Sequence, residues 1–281
     1  MLGSIEVKIF SRTPNKIKFE LNGVPSDKIK LTRDLISSEV PTMAADKLIY
    51  KTNTSHLNNE QLALKIGLAP VEADAEEFEY LPPDRTQHEG NTLQFYLKVE
   101  ASAGKIITVT TNDIIWLPTT KRQVKKFAAH PPRFRPNVEL VVLRPGEALE
   151  LEIYVIKGQG KLHDKWRPGS HINYIFRPRV RIIKPIRSPE AKELKELCPV
   201  DVFDIEDLTG KAVVGRERDC ISCMACATAF PKSIIVSHYK DKAIFTVETH
   251  TTFPGPAAVI TKGLELLIAK EEADSEPVGD F

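Results

Sequence analysis

Hydrophobic and polar positions alternate near the N-terminus. Apolar residues occupy every second position over 5–9 and again over 17–21, with lysine and glutamate between them. The turn residues Thr13-Pro14-Asn15 separate the two runs. Alternation on both sides of a turn predicts a β-hairpin with one buried face. Helical spacing of apolar residues follows, so we predict a helix that starts after Pro25 and ends before Pro41.

The middle of the chain is rich in short alternating runs. Turn signals such as Arg144-Pro145-Gly146 separate these runs, which favours a β-rich module. We predict strands over 47–54, 93–99, 105–109, 139–143 and 147–155. Residues 59–68 are predicted to form a short helix that an asparagine caps and Gly67 ends. The acidic stretch 71–90 has no clear period and predicts a surface loop.

Two further elements are predicted towards the C-terminus. The alternating runs 233–238 and 243–248, joined through Lys240-Asp241-Lys242, predict a second hairpin. A helix is predicted to begin around Pro254-Gly255-Pro256, because proline suits the first helical turn. Its apolar stripe consists of Ile260, Leu264, Leu267 and Ile268. Further apolar residues beside this stripe make the face wider than packing on one small sheet requires, which predicts a partner surface.

The chemistry of the sequence is concentrated in its cysteines. Cys220, Cys223 and Cys226 form a Cys-x2-Cys-x2-Cys run, and Cys198 lies upstream with Pro199 directly after it. In two-cluster ferredoxins, each cluster takes three thiolates from such a run and the fourth from the Cys-Pro of the other run. The cysteines therefore predict one 4Fe-4S cluster, with a 3Fe-4S form if one iron is lost.

The second ligand set of a two-cluster ferredoxin is missing from this chain. Phe230 stands where its remote cysteine would be, and Ser188, Ala191 and Leu194 replace the other three. Mostly apolar packing is therefore expected at that place. A tetrahedral zinc site with four cysteine ligands is the alternative. Zinc ribbons usually present two separate Cys-x2-Cys pairs, so the spacing favours iron and sulfide over zinc.

Composition and charge narrow the class of protein. The chain has 281 residues, of which 42% are hydrophobic and 27% are charged, values that exclude a disordered protein. No apolar run is long enough to span a bilayer and no secretory signal is visible, so we expect a cytoplasmic protein with no membrane partner. A formal charge of +1 lacks the basic excess of a dedicated nucleic-acid binder. Any contact with nucleic acid is expected to be local or indirect.

Two other groups of residues have weaker chemical signals. His163, Lys165 and Trp166 are accompanied by no acid, nucleophile or metal partner at a readable spacing, which favours a structural role. The basic residues of 121–126 and 133–135 lack interleaved aromatic residues, which favours a solvated loop over a nucleic-acid surface.

A set of motifs spans nearly the whole chain. In order, they are Ser38-Glu39-Val40-Pro41-Thr42, Asn53-Thr54-Ser55, Leu62-Ala63-x-x-Ile66-Gly67-Leu68-x-Pro70, Gly158-x-Gly160-x-x-His163-x-Lys165-Trp166-x-Pro168 and Phe245-x-Val247-Glu248-Thr249. Together they resemble the D-type subunits of archaeal DNA-directed RNA polymerase. That family is related to the third-largest subunit of eukaryotic RNA polymerase II and to the N-terminal part of the bacterial α subunit.

The resemblance implies an α+β fold with a split dimerisation domain. Residues 1–44 and 232–281 would form that domain, interrupted by an inserted β-rich domain over 45–184 and a ferredoxin-like iron-sulfur module over 185–231. The C-terminal helix would form a heterodimer with the small L-type subunit, and other small and large polymerase subunits would be further partners.

The function that follows from the resemblance is non-catalytic assembly of DNA-dependent RNA polymerase, with RNA synthesis in the large subunits. The alternative is a ferredoxin-type electron-transfer protein. An electron carrier has no need of a split hairpin-helix platform around its cluster, so the first function is favoured.

Overall fold

The computed structural model describes residues 5–250 and 255–275. The strands are β1 (Glu6–Arg12), β2 (Lys16–Asn22), β3 (Pro41–Asn53), β4 (Val71–Glu72), β5 (Thr92–Glu100), β6 (Ile107–Thr110), β7 (Ile114–Leu117), β8 (Arg133–Phe134), β9 (Glu139–Leu143), β10 (Ala148–Gln159), β11 (Gly169–Ile182), β12 (Phe203–Ile205), β13 (Ala212–Val214) and β14 (Ile234–Thr249). The helices are α1 (Ser26–Ser38), α2 (Asn59–Leu68), α3 (Lys121–Lys126), α4 (Glu190–Leu197), α5 (Ala225–Ala229) and α6 (Pro256–Ser275). The predicted α+β class is confirmed. None of the helices within the described ranges has the length and apolar character needed to cross a membrane.

The first sheet has the strand order β1-β2-β14-β11. The predicted second hairpin is wrong, because 234–249 form one continuous strand of 16 residues. The Asp241 carbonyl, at the expected turn, instead accepts hydrogen bonds from the backbone N–H groups of Gly23 at 2.8 Å and Val24 at 3.3 Å. A tertiary partner therefore satisfies the backbone here and the strand continues.

The first hairpin forms, but its predicted apolar face is buried only on β2. On β2, Phe19 is buried and stacks on Phe245 of β14, with ring centroids 5.3 Å apart. In contrast, Val7 and Ile9 of β1, and Ile5 just before it, are all more than half exposed. The expectation that both strands share one buried face is wrong, because β1, at one edge of the sheet, is exposed along its whole length.

The second sheet, of order β3-β10-β5-β7, carries the main core of the middle segment. Ile153 of β10 lies opposite Leu48 of β3 on one side and Phe95 of β5 on the other. Leu62 and Ile66 of α2 are completely buried in the same core. Alternation in the central strand thus sends every second side chain into the core, as expected for a half-buried strand.

Helix α2 has the predicted bounds and the predicted cap. The side chain of Asn58 accepts a hydrogen bond from the Gln61 backbone N–H at 2.9 Å. Gly67 does not end the helix, which continues to Leu68 and gives way to extended backbone at Ala69. The glycine-stop prediction is therefore wrong, since this helix ends without a left-handed residue.

The sequence did not predict β11, although it is 14 residues long. Its second half contains Pro178 among arginines, a pattern that argues against a central strand. Proline is tolerated at a sheet edge, and β11 is the edge strand opposite β1. The basic segment 121–126, predicted to be a loop, likewise forms the short helix α3, in which the Thr120 side chain accepts from the Gln123 backbone N–H.

The chain divides into two compact units. Lys18–Ile29 and Tyr174–Phe245, with most of β1, form the first unit. Ser11–Ile17, Lys30–Asn173 and the described residues after Phe245 form the second. The domain boundaries drawn from the sequence, 1–44 with 232–281, 45–184 and 185–231, stay predictions.

Candidate functional site

The upstream cysteine and the three cysteines of the Cys-x2-Cys-x2-Cys run line one cavity of the first unit. Cys198 follows the end of α4, Cys220 and Cys223 lie in the loop before α5, and Cys226 belongs to α5. The rest of the lining is apolar and consists of Val180, Val200, Val202, Phe203, Ile221, Met224, Ala225 and Val236. The fold therefore brings all four predicted ligands to one apolar pocket.

Backbone geometry turns the cysteine loop around this cavity. Ser222 and Met224 have positive φ values of 54° and 64°, which non-glycine residues rarely adopt. The Ser222 backbone N–H donates to Cys220 Sγ at 3.4 Å. The Val202 N–H donates to Cys198 Sγ, also at 3.4 Å. Such bonds stabilise negative charge on sulfur and are typical of cysteines that ligate iron-sulfur clusters.

The electrostatics of the pocket suit a group that neutralises thiolates. Burial raises the pKa of the Cys226 thiol, and charge on Cys220, Cys223 and Cys198 raises it further. Four deprotonated sulfurs here would repel one another, and a bound group with a cationic core would reduce that repulsion. In the described residues, no three or more His, Cys, Asp or Glu side chains form a group that could hold a metal ion. By residue type, four thiols among apolar side chains are the ligands that an iron-sulfur cluster uses.

The place of the missing second ligand set is filled as the sequence predicts. Ala191 and Leu194 are completely buried in the core of the cysteine segment. Phe230 is half-buried and packs against the same core. Apolar side chains thus pack together at three of the positions that sequence spacing assigns to the missing ligand set.

Helix α6 has one face against its own chain and one face open. Val259 and Gly263 are buried, and a Cβ atom at Gly263 would lie 2.3 Å from Ile36 Cγ1 of α1. Leu264 and Ile268 of the predicted partner stripe are 37% and 58% exposed. The other two members of the stripe, Ile260 and Leu267, are half-buried. The stripe therefore lies beside the buried face of α6 and is only partly covered by the residues that the structure describes.

The cluster His163, Lys165 and Trp166 is structural in its contacts. A Cβ atom on Gly158 would lie 2.3 Å from the Trp166 ring, so only glycine permits this approach. Trp166 Nε1 donates to the backbone of β10 at 3.2 Å. His163 Nδ1 accepts from the Lys165 N–H at 3.0 Å, which caps a short 3-10 turn.

Lys165 fixes the same turn to β3 through a largely buried ion pair. Its Nζ donates to Asp46 Oδ1 at 2.8 Å and to the Ala45 carbonyl at 3.0 Å. Burial alone would raise the pKa of Asp46, but the hydrogen bond and charge of Lys165, with Arg85, outweigh burial and hold it below its usual value. Packing and this ion pair therefore account for Gly158, Lys165 and Trp166 of the motif over 158–168.

Acidic partners surround the basic segment of α3 and β8. Lys126 lies 2.7 Å from Glu77, and Arg122 lies 3.4 Å from Glu89. Arg133 lies 2.6 Å from Glu72. Much of the positive charge that could attract nucleic acid is thus paired within the chain, in agreement with a solvated surface.

Sequence reasoning missed the complete burial of a charged residue, Glu20. Glu20 of β2 alternates with apolar residues and is predicted to face solvent with Lys18, yet its exposure is 0%. Arg177 of β11 and Arg218, two residues before Cys220, both lie within 4 Å of it. No local signal marks Glu20 as buried, because its cations lie far along the chain.

Comparison with known proteins adds the family. The chain matches no protein-family profile. It is 33% identical over 257 residues to the DNA-directed RNA polymerases I and III subunit rpac1 of Dictyostelium discoideum, covering 88% of this chain and 74% of the relative. The human subunit RPAC1 is 28% identical over 95% of this chain and 82% of its own. DNA-directed RNA polymerase subunit Rpo3 of Methanosphaera stadtmanae is 26% identical over 96% of this chain and 97% of its own. The chain therefore belongs to the family of α-like subunits of DNA-directed RNA polymerase that includes RPAC1 and Rpo3.

Proposed function

We propose that this chain is the D-type assembly subunit of a cytoplasmic DNA-directed RNA polymerase. It pairs with a small L-type subunit through α6 and carries one 4Fe-4S cluster in a ferredoxin-like module. Membership of the RPAC1 and Rpo3 family supports the polymerase assignment. RNA synthesis resides in other subunits, no residue of this chain is assigned a catalytic role, and contacts with nucleic acid are indirect.

The proposed pairing rests on the two faces of α6, one of which is buried and the other exposed. Val259 is 3% exposed against the chain's own core, whereas Ile268 on the adjoining face is 58% exposed. Complete burial of a large aliphatic side chain contributes about 1.5–3 kcal/mol. A partner that covers Leu264 and Ile268 gains a share of that free energy, in proportion to the exposed area it removes. Pairing through a helix face of this kind suits an apolar helix of the small subunit.

The pairing is tested by co-expression with an L-type subunit. We expect a stable 1:1 complex for the wild type and loss of the complex for Leu264→Asp, because the carboxylate would be buried without a partner. Ala269→Asp is the matched control, since Ala269 is exposed and lies on the opposite side of α6. Size-exclusion chromatography of the co-purified proteins measures the complex. A Leu264→Asp chain that pairs as well as the control would contradict the proposed face.

The cluster assignment rests on Cys198, Cys220, Cys223 and Cys226. A 4Fe-4S cluster takes one thiolate at each of its four irons, which matches four cysteines arranged around a cavity. When bound, such a cluster cross-links its four ligands and can exchange an electron. In the chain itself, the N–H groups of Val202 and Ser222 donate hydrogen bonds to two of the sulfurs, and apolar side chains line the rest of the cavity. Zinc would use the same thiols, and a 3Fe-4S form would follow the loss of one iron.

A structural role for the cluster follows from the chain between its ligands. Residues 199–219 separate Cys198 from the other three cysteines, so a bound cluster closes this loop and its binding free energy becomes folding free energy. Apart from the core around Phe203, the segment has few large buried side chains. Without the cluster, we expect the segment 185–231 to loosen before the rest of the chain.

Metal analysis of protein purified without oxygen tests the cluster. We expect iron and acid-labile sulfide in equal amounts for the wild type, and loss of both with protease sensitivity in 185–231 for Cys198→Ser. Zinc without sulfide would overturn the iron-sulfur assignment. Purification from native cells tests the polymerase assignment. Recovery within an RNA-synthesising complex supports the assembly function, and recovery with a reductase or dehydrogenase would replace it with electron transfer.

A further inference from the structure

A continuous chain of ion pairs surrounds the buried carboxylate of Glu20. Its Oε1 accepts a hydrogen bond from Arg177 Nη1 at 3.1 Å, and its Oε2 lies 3.7 Å from Arg218 Nη2. The second terminal nitrogen of Arg177, Nη2, lies 3.6 Å from Glu217 Oε2. Charges alternate along the order Arg218, Glu20, Arg177, Glu217. We call these four residues the Glu20 network.

Most of the Glu20 network is shielded from water. Glu20 is completely buried, and Arg177 and Glu217 are 17% and 22% exposed. Among the described residues, Glu20 Oε2 has no hydrogen-bond partner, so the charge of Arg218 is what compensates that oxygen. A buried charge that loses its counter-ion is strongly destabilised. Glu20 and Arg177, the most buried members of the network, are therefore held beside their charged partners.

The network ends at the segment that leads into the cysteine run. Glu217 and Arg218 lie in a 3-10 turn over Glu217–Asp219, directly before Cys220. The Cys220 backbone N–H donates to the Glu217 carbonyl at 3.2 Å. The other carboxylate oxygen of Glu217, Oε1, accepts from the Val180 N–H of β11 at 3.0 Å. The position of Cys220 is thus tied to β2 and β11 by charges and backbone bonds.

Other ion pairs near the cysteines are placed differently. Arg216 and Asp201 are 3.9 Å apart and at least half exposed. Lys195 and Asp204 are 3.4 Å apart and more than 40% exposed. Solvent screens such pairs, and exposed pairs contribute little to the position of a loop. The Glu20 network differs from these exposed pairs because Glu20 is completely buried.

We propose that the Glu20 network is a positioning device for the cluster ligands. Glu20, near the N-terminal end of the chain, fixes Arg218 and the turn that carries Cys220, so that the loop presents its thiols to the cluster with little reorganisation. Glu20 and Arg218 act through Cys220 and do not themselves bind the cluster. This inference rests on the proposed iron-sulfur cluster and adds to it residues from outside the cysteine segment.

The test measures how fast iron leaves the protein. Full-length chain, purified without oxygen in complex with its small partner, is mixed with excess ferrous-iron chelator and followed by absorbance. Removing partners that orient metal ligands typically weakens metal binding ~10–100-fold, so Glu20→Gln is expected to release iron at least about tenfold faster. Glu6→Gln is the matched control, because Glu6 lies on the neighbouring strand and is exposed. It should release iron at the wild-type rate.

Variants of Arg218 test the same positioning role if Glu20→Gln does not fold. Arg218 is 43% exposed, so Arg218→Gln should fold, keep the wild-type thermal unfolding of the remaining chain and still lose iron faster. Arg218→Lys restores the positive charge and should bring the release rate back towards the wild type. Wild-type release rates in the folded Arg218→Gln protein would overturn the positioning role. Absence of iron and sulfide from the wild type would instead overturn the proposed cluster, which separates the two failures.

Discussion

Gly263 determines how closely α6 approaches α1. A Cβ atom at this position would lie 2.3 Å from Ile36 Cγ1 and 3.4 Å from Ile36 Cβ. Ile36 is completely buried, so its side chain cannot relieve the contact by moving into water. Overpacking a core costs ~1–3 kcal/mol, and a contact this short falls at the upper end. Alanine is better than glycine within a helix by about 1 kcal/mol. We therefore expect Gly263→Ala to lower the free energy of opening α6 by about 1–2 kcal/mol.

Shortening Ile36 should reverse the sign of the same substitution. In an Ile36→Ala background the Cγ1 atom is absent, so Gly263→Ala keeps only the gain in helix propensity, about 1 kcal/mol. Amide hydrogen exchange in α6 measures the opening free energy of all four proteins in this double-mutant cycle. A stabilising effect of Gly263→Ala in both backgrounds would refute the close α1–α6 contact and, with it, the account of which face of α6 remains for a partner.

Two further predictions concern charged and titratable groups of the second unit. Lys165→Met leaves the Asp46 carboxylate with Arg85 as its remaining cation and should lower the free energy of unfolding by about 2–3 kcal/mol in a urea titration. Arg85→Met, at a 68% exposed position, should cost under ~1 kcal/mol, and equal effects would contradict the buried pair. Burial and neighbouring arginines lower the pKa of His250 in the folded chain from its usual 6.5. As the pH falls below 6.5, the unfolded chain therefore binds more protons than the folded chain, and the free energy of unfolding decreases. His250→Gln should flatten this part of the pH profile of stability, whereas the exposed His56→Gln should leave it unchanged.

Elements whose signals are local were predictable from the sequence alone. Helix α2 has its expected bounds because Asn58 caps it and its apolar residues repeat at helical spacing. Four cysteines at ferredoxin-like spacing identified the candidate ligands, and the replacement of the second set by Ala191 and Leu194 correctly predicted a packed apolar core. In these cases the determining residues lie within a few turns or one loop of one another.

Features that depend on which strands become neighbours were decided only by the tertiary structure. The segment around Asp241 continues as strand because Gly23 and Val24 donate to its carbonyl. The same alternating pattern is buried on β2 and exposed on the edge strand β1. Glu20 looks like any other polar residue of an alternating strand, yet the fold buries it beside Arg177 and Arg218. Periodicity specifies which residues share a face, but burial of that face depends on distant parts of the chain that pack against it.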